Sequence, residues 1–306
     1  MRLDDFDPNI NVEDQGDRGG GGFGGGGGGG LGGGLLFAFL PMIFNRFGCF
    51  GVIVVVALFA VFSGGLQFAD TGGTGGTRAP SESSAPAGGG ARAICSTNAD
   101  RVTACKAFSS ADKTWQAIFA QDGQRFAEPK LVFYANNGQS GCGAAQSAMG
   151  PFYCPADQGI YLDTSFFQEL SQKFGASGDF AQDYVIAHEF GHHIQNLMGI
   201  SDKVNSLQRR SNEVDGNRLS VLLELQADCF AGVWAAKNRD RMDPDDLAEG
   251  MTAAKAIGDD TLQREAQGRV VPDSFTHGTS QQRMTWLKRG IDSGDYRQCD
   301  TFSQGI

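Results

Sequence analysis

The sequence predicts an α+β domain with a mostly helical C-terminal half, preceded by one transmembrane helix. Three observations lead there. Short aromatic and β-branched runs, KLVFYA at 130–135 and GIYLD at 159–163, read as strands. From Asp179 onward, apolar residues recur at helical spacing. Ahead of both lies Phe47–Phe68, an apolar stretch without a charged residue.

The first 34 residues read as a disordered tail. Residues 1–18 are polar and acidic, and residues 19–34 are glycine apart from Phe23 and Leu31. Such a segment lacks the apolar surface to offset its chain entropy. It has neither a collagen period nor the Gly-Lys-Ser/Thr ending of a phosphate loop. Residues 35–68 form the membrane segment. Leu35–Ile43 is broken by Pro41, and Asn45 and Arg46 follow. The span itself is about 47–68, roughly 22 residues and long enough for a bilayer core. The alternative, a buried core helix, finds no other part of the chain able to wrap it. Arg46 abuts the N-terminal side and Asp70 the other, so positive-inside bias favours a cytoplasmic tail and an exported C-terminal domain. Residues 69–92 are a Gly/Ser/Pro/Ala linker, and the folded domain runs over 93–306.

Within that domain Ala99–Ala120 reads as the first helix. The two strand candidates follow. A helix then runs from Asp179, an N-cap with Gln182 at the capping-box position, to about Met198, stopping at Gly199. A second long helix covers roughly Arg218–Lys237. Shorter helices are expected at 244–257, 259–268 and 280–290.

Composition narrows the function. The net charge is −10. An acidic chain with no basic cluster gains nothing from counterion release, so nucleic-acid binding is not expected. Six of the seven cysteines follow the apolar stretch, an even number that suits an oxidising compartment. They allow 15 pairings. Cys142 with Cys154 is the best local guess, because Gly143 and Pro151 suggest a turning loop between them. Buried free thiols are the alternative. No Gly-x-Ser-x-Gly elbow or dinucleotide fingerprint is present.

The chemistry concentrates at His188-Glu189-Phe190-Gly191-His192. Four residues turn a helix by about 400°, so His188 and His192 face the same way, one turn apart. Two imidazoles so placed suit one tetrahedral zinc. Glu189 lies about 100° round, placed to take a proton from a zinc-activated water. A third ligand is needed. Glu224 and Asp228 lie one turn apart on the second long helix. Glu224 is the candidate ligand, and Asp228 the group that orients a ligand histidine through its free ring nitrogen. The bland alternative is a solvent-facing acidic pair, and His277 is the alternative third ligand. His277 also suits oxyanion stabilisation or a structural role beside a cap at Thr276 or Thr279. Tyr134, Tyr153 and Tyr161 are further oxyanion donors among which spacing does not choose. His193 points to another helix face and reads as structural. Cys229 reads as a disulfide partner or core thiol.

HEFGHHIQ at 188–195, ELQADCFAG at 224–232, FTHGTSQQR at 275–283 and CGAAQSAMGPFYCPADQGIYLD at 142–163 resemble the "putative neutral zinc metallopeptidase" family of bacterial membrane-anchored proteins. The likeness covers nearly the whole chain. More distantly, the motif pair is similar to zincins of the thermolysin type. That resemblance implies a zincin-like fold, one zinc per chain on His188, His192 and Glu224, Glu189 as general base and Asp228 behind the ligands. It leaves His277 as the candidate for binding the transition state. The family resemblance implies a protein or peptide substrate and a bacterial membrane anchor, and with the charge bias and cysteine count it gives the expectation of a catalytic domain on the extracytoplasmic face of the inner membrane. The chain departs from the thermolysin type in placing Glu224 32 positions after His192, with a polar insert Ser201–Asn217. By zincin analogy KLVFYA or GIYLD forms the cleft edge. The rival readings are a membrane-tethered zinc-containing binding or assembly protein without catalysis, and a zinc hydrolase acting on a non-peptide amide.

Overall fold

The structure, a computed structural model, describes residues 1–17 and 90–304. The expected glycine tract, the span at about 47–68 and most of the 69–92 linker lie outside the described residues. Residues Met1–Gly20 and Ala87–Ile306 form one compact unit.

Its sheet has the order β1-β2-β6-β5. The strands are β1 (Val12–Asp14), β2 (Lys130–Phe133), β5 (Phe152–Cys154) and β6 (Gly159–Leu162), while β3 (Asn137–Ser140) and β4 (Gly143–Gln146) pair as a separate hairpin. β1, β2 and β6 run parallel, and β5 is antiparallel to β6. Strand alternation explains the layering. Leu131, Phe133, Ile160 and Leu162 face the main core, whereas Val132, Tyr134 and Tyr161 join Ala145 and Cys154 in a second cluster. Both faces are therefore covered, which is why these strands carry so few polar residues.

The helices are α1 (Ala91–Cys95), α2 (Ala99–Gln121), α3 (Ser165–Gln172), α4 (Asp179–Leu197), α5 (Ile200–Gln208), α6 (Glu213–Lys237), α7 (Asp246–Ala256), α8 (Asp259–Gln267), α9 (Ser280–Ser293) and α10 (Thr301–Gln304). α4 lies at the centre, packed on α2, α6 and α7, and α9 packs along α6. Among the described residues only α6 is long and apolar enough to cross a membrane, and it is a buried core helix. Three disulfides join Cys95–Cys105, Cys142–Cys154 and Cys229–Cys299, the second being the pair expected from the loop between them.

Several expectations need correction. Residues 1–17 are not a disordered tail. Met1, Phe6 and Ile10 are buried in the main core, and β1 pairs with β2. The segment is held by long-range partners that its composition does not reveal. Arg101 donates to both carboxylate oxygens of Asp14 at 2.6 and 3.2 Å, and the Asp7 amide donates to Ser109. Asp179 is the first helical residue rather than the cap. Gly178 holds the cap position at φ +119°, and Asp179 is drawn away into an ion pair with the chain's N-terminus. α6 starts five residues earlier than expected because the Asn212 side chain caps it, accepting from the Asp215 amide. With α5, that start converts most of the supposed insert into helix. The sheet edges are β1 and β5, since β2 and β6 are both interior.

One partly buried acid sits uneasily beside this core. Asp112 on α2 has a carboxylate oxygen that is buried without a hydrogen-bond partner. Burial, then the charges of Glu128 and Asp7, push its pKa up to about 7. A folded pKa above the unfolded one means a contribution that is complete at low pH and lost as pH rises through the folded value. Asp112→Asn should therefore raise the unfolding free energy at pH 8 by on the order of 1 kcal/mol after allowance for solvent screening. Near pH 4 it should change little. Calorimetry at the two pH values checks this, and equal shifts at both would refute the assignment.

Candidate metal centre

α4 is buried on most sides, polar positions included, so its histidines enter the interior with it. His188 is buried and His192 partly so, their rings 4.8 Å apart and nearly perpendicular. α6 brings Glu224 to them because the two helices touch closely. A methyl group on Gly191 would lie 2.9 Å from the Ala227 carbonyl oxygen and 3.0 Å from its Cα. Glycine at this motif position therefore permits the approach. Glu224 Oε2 then sits 3.1 Å from His188 Nε2, and Oε1 sits 3.4 Å from His192 Nε2.

A metal fits this donor set. Tetrahedral zinc, with ligands at about 2.0–2.1 Å, separates ligand atoms by roughly 3.3 Å. The two measured separations bracket that value, and all three candidate ligand atoms lie within 4.8 Å of one another. The tautomers also fit. His188 Nδ1 lies 2.8 Å from Asp228 Oδ1, and His192 Nδ1 lies 2.9 Å from Gln195 Oε1. Gln195 is fixed in turn, its amide donating to the Leu223 carbonyl and to Gln226. With each Nδ1–H engaged, each Nε2 lone pair is left for the metal.

The electrostatics favour positive charge among these groups. Burial opposes a charged His188, but Asp228 and Glu224 outweigh it and push its pKa up to about 9. Burial opposes a charged Glu224 too, yet His192, His277 and His188 hold it well below the usual carboxylate range. Proton and metal compete for the same nitrogens, so metal affinity falls as pH falls. Asp228 is fully buried and saturated. Besides His188, it accepts from Tyr184 Oη at 2.6 Å and from Arg283 Nε and Nη2, both at 2.9 Å. The buried Arg283 guanidinium also lies against the His188 ring.

The remaining expected residues are also placed. Glu189 is buried on α4, and among the described residues nothing forms a hydrogen bond to its carboxylate. His277 is half exposed, near enough to Glu224 for their charges to interact. Asp259 holds it, accepting from the Thr276, His277 and Gly278 amides and lying 3.2 Å from His277 Nδ1. Burial lowers the His277 pKa, but Glu224 and Asp259 outweigh it and raise it. His193 lies away from the metal ligands. Its Nε2 donates to the Ala127 carbonyl at 2.7 Å and its Nδ1 accepts from Tyr153. Tyr153 is thereby occupied, Tyr161 donates to Asp157 at 2.5 Å, and Tyr134 is buried. Tyr153 and Tyr161 are therefore engaged, whereas the buried Tyr134 hydroxyl has no hydrogen-bond partner among the described residues. Tyr184, Gln195, Asp259 and Arg283 went without a role in the sequence reading. Tyr184 and Gln195 share the motif's helix face, one turn before His188 and three residues after His192. Asp259 and Arg283 carry no local signal.

The profile of the family described as "Putative neutral zinc metallopeptidase" matches residues 1–302. The chain belongs to this family. Similar proteins include "Uncharacterized protein YpfJ" of Escherichia coli (strain K12), 56% identical over 200 residues, covering 65% of this chain and 70% of that protein. Another is "Uncharacterized protein Mb2605" of Mycobacterium bovis, 38% identical over 227 residues, covering 68% of this chain and 74% of that one. "Uncharacterized protein Rv2575" of Mycobacterium tuberculosis matches to the same extent. No solved structure matches. The family's description agrees with the donor set reached from geometry.

Glu224→Ala should hold less zinc than the natural protein under the same loading. Asp228→Asn should weaken zinc about 10- to 100-fold by freeing His188 to rotate. Elemental mass spectrometry and chelator competition measure both. Full zinc retention by Glu224→Ala would remove it from the ligand set.

Proposed function

We propose that this protein is a zinc metallopeptidase that hydrolyses peptide bonds, with its domain tethered to the bacterial inner membrane on the extracytoplasmic side. The observation that carries the reading is the convergence of His188 Nε2, His192 Nε2 and Glu224, with both imidazoles oriented from behind and Glu189 buried on the same helix. His188, His192 and Glu224 would hold the zinc, one per chain. Zinc, when bound, supplies Lewis-acid polarisation of the scissile carbonyl and of a water molecule.

The chain's own residues do the rest. Glu189, unengaged by any described hydrogen-bond donor, takes the water's proton and passes it to the leaving amine. His277, held by Asp259, donates to the oxygen that gains charge at the carbonyl. Asp228 and Gln195 keep the ligand rings in register. β5 offers the substrate a place to lie: it is the antiparallel edge of the sheet and packs on α4. Tyr153 on β5 pins that edge to the helix, donating to His193 and accepting from Asn196. An extended peptide adding to β5 would be held through its backbone, as edge strands hold peptides generally. The three disulfides support export to an oxidising compartment.

Glu189→Gln is the test. It should retain zinc at the natural stoichiometry and lose turnover about 10²- to 10⁴-fold on a peptide mixture, read by mass spectrometry of the products. Natural turnover in this variant would sink the role of Glu189. Activity of the natural protein confined to small amides would favour a non-peptide hydrolase. Zinc binding with no turnover on any amide would favour a binding or assembly protein.

A further inference from the structure

The three disulfides differ in how they meet solvent. Cys95, Cys105, Cys154, Cys229 and Cys299 are fully buried, whereas Cys142 is exposed. Cys142 sits with Gly141 in the two-residue turn of the β3–β4 hairpin, where Ser140 pairs with Gly143. The Cys142 amide donates to Ser140 Oγ at 3.1 Å, and that hydroxyl donates to the Gly143 carbonyl at 2.8 Å. Gly143 takes φ +122°, and a methyl group built on it would meet nothing within 4 Å. The turn therefore presents Cys142 to solvent with open space beside it.

Cys154, at the other end of the bond, is the last residue of β5. It belongs with Val132, Tyr134, Ala145 and Tyr161 to a small apolar cluster separate from the main core. Ala145 comes from β4, so this cluster is the hairpin's apolar hold on the sheet and the disulfide is its covalent one. The hairpin is held further by Gln15, which exchanges hydrogen bonds with the Gln139 backbone at 2.8 and 2.9 Å, and by Asp157, which accepts from the Gly141 amide at 2.8 Å. No residue of α4 or α6 belongs to the cluster. A bond with one end at the surface and the other in a local cluster can open without unfolding the domain.

We propose that Cys142–Cys154 is a thiol-exchange site for a dithiol, and that opening it frees the β3–β4 hairpin and the end of β5 while α4 and α6 stay folded. The proposal stands whether or not the protein is a peptidase. Exchange begins when a thiolate of the dithiol attacks Cys142 Sγ, at the exposed end of the bond. A bond forms between those two sulfurs and the Cys142–Cys154 bond breaks. Its electron pair leaves on Cys154 Sγ, which takes a proton from water because its surroundings are apolar. The second thiol of the reagent then gives up its proton and attacks the reagent sulfur bonded to Cys142. Cys142 leaves as a thiolate and is protonated. The protein gains two electrons and two protons, and the dithiol loses them as it closes to its own disulfide. The other two bonds offer no such entry, since both cysteines of each are buried. The consequence falls on the sheet edge. Tyr153 ties β5 to α4, and after exchange β5 keeps that tie and loses the one at the next residue.

The natural full-length chain is titrated with dithiothreitol under native conditions, and its free thiols are trapped with N-ethylmaleimide and mapped by peptide mass spectrometry. Cys142 and Cys154 should become labelled at a dithiol concentration about tenfold or more below the one that opens the other two bonds. Bonds that open together, or a buried pair that opens first, would overturn the site.

Hydrogen exchange then reads the structural consequence. With this bond open, the amides of residues 137–154 should exchange about 10- to 100-fold faster, and those of α4 and α6 at the rate of the oxidised chain. A variant carrying Cys142→Ala and Cys154→Ala should show the same pattern with no reagent present, which separates loss of the bond from any other action of the dithiol. Unchanged exchange over 137–154 would leave the bond without a hold on the hairpin and overturn the proposal. Faster exchange reaching α4 and α6 would overturn its local character. Neither measurement reads turnover, so both outcomes leave the peptidase reading where it stands.

Discussion

The close contact of α4 with α6, Gly191 against the backbone of Ala227, is the constraint on which the metal site rests. His188 and His192 are fixed relative to each other by a single helical turn, and Glu224 and Asp228 by another. Neither pair makes a site alone. Bringing the two rows together at glycine distance places Glu224 beside both Nε2 atoms and Asp228 behind His188. A side chain at position 191 would have to push α6 outward by a few tenths of an ångström. Ligand geometry tolerates little more than that.

The same approach buries charge, and the structure answers it with further contacts. Asp228 in a helix interface would be untenable without partners. It receives Arg283, Tyr184 and His188 together, and Arg283 arrives because α9 lies on α6 just as closely. There the backbones of Gly232 and Gly290 leave no room for side chains. Orientation of the metal ligands, burial of a guanidinium and a glycine-lined helix crossing are thus one arrangement. The Cys229–Cys299 disulfide begins at the residue after Asp228 and closes a 70-residue loop. In the chain-entropy picture such a link is worth about 4 kcal/mol, and it secures the far end of the domain to this helix.

What the sequence reveals follows the range of the interactions. The paired histidines, Glu189, Glu224 and Asp228 are legible because each lies one residue or one helical turn from another. Tyr184 obeys the same rule, one turn before His188, and a search along that face would have found it. Arg283 and Asp259 do not obey it. They act across 55 residues to Asp228 and 18 residues to His277, and nothing local distinguishes them from surface charges. The strands β2 and β6 are legible because both faces are buried, which fills them with apolar residues. β1 is not. Only Val12 of its three residues is apolar, and it is held by main-chain pairing to β2 and by Arg101. Average composition is blind to partners more than a hundred residues away.

That unreadable strand decides how the sheet can be used. A sheet of this kind has two edges, each a row of unpaired donors and acceptors that invites an extended chain. On the β2 side β1 is added as the outer strand, in a parallel pairing over Val12–Asp14. The other edge, β5, stays open among the described strands and is pinned to α4 through Tyr153. The hairpin β3–β4 covers the sheet face beside it, and the Cys142–Cys154 disulfide ties that hairpin to the end of β5. The sheet thus ends in β1 on one side, and on the other in β5, which Tyr153 ties to the helix that carries the candidate ligands.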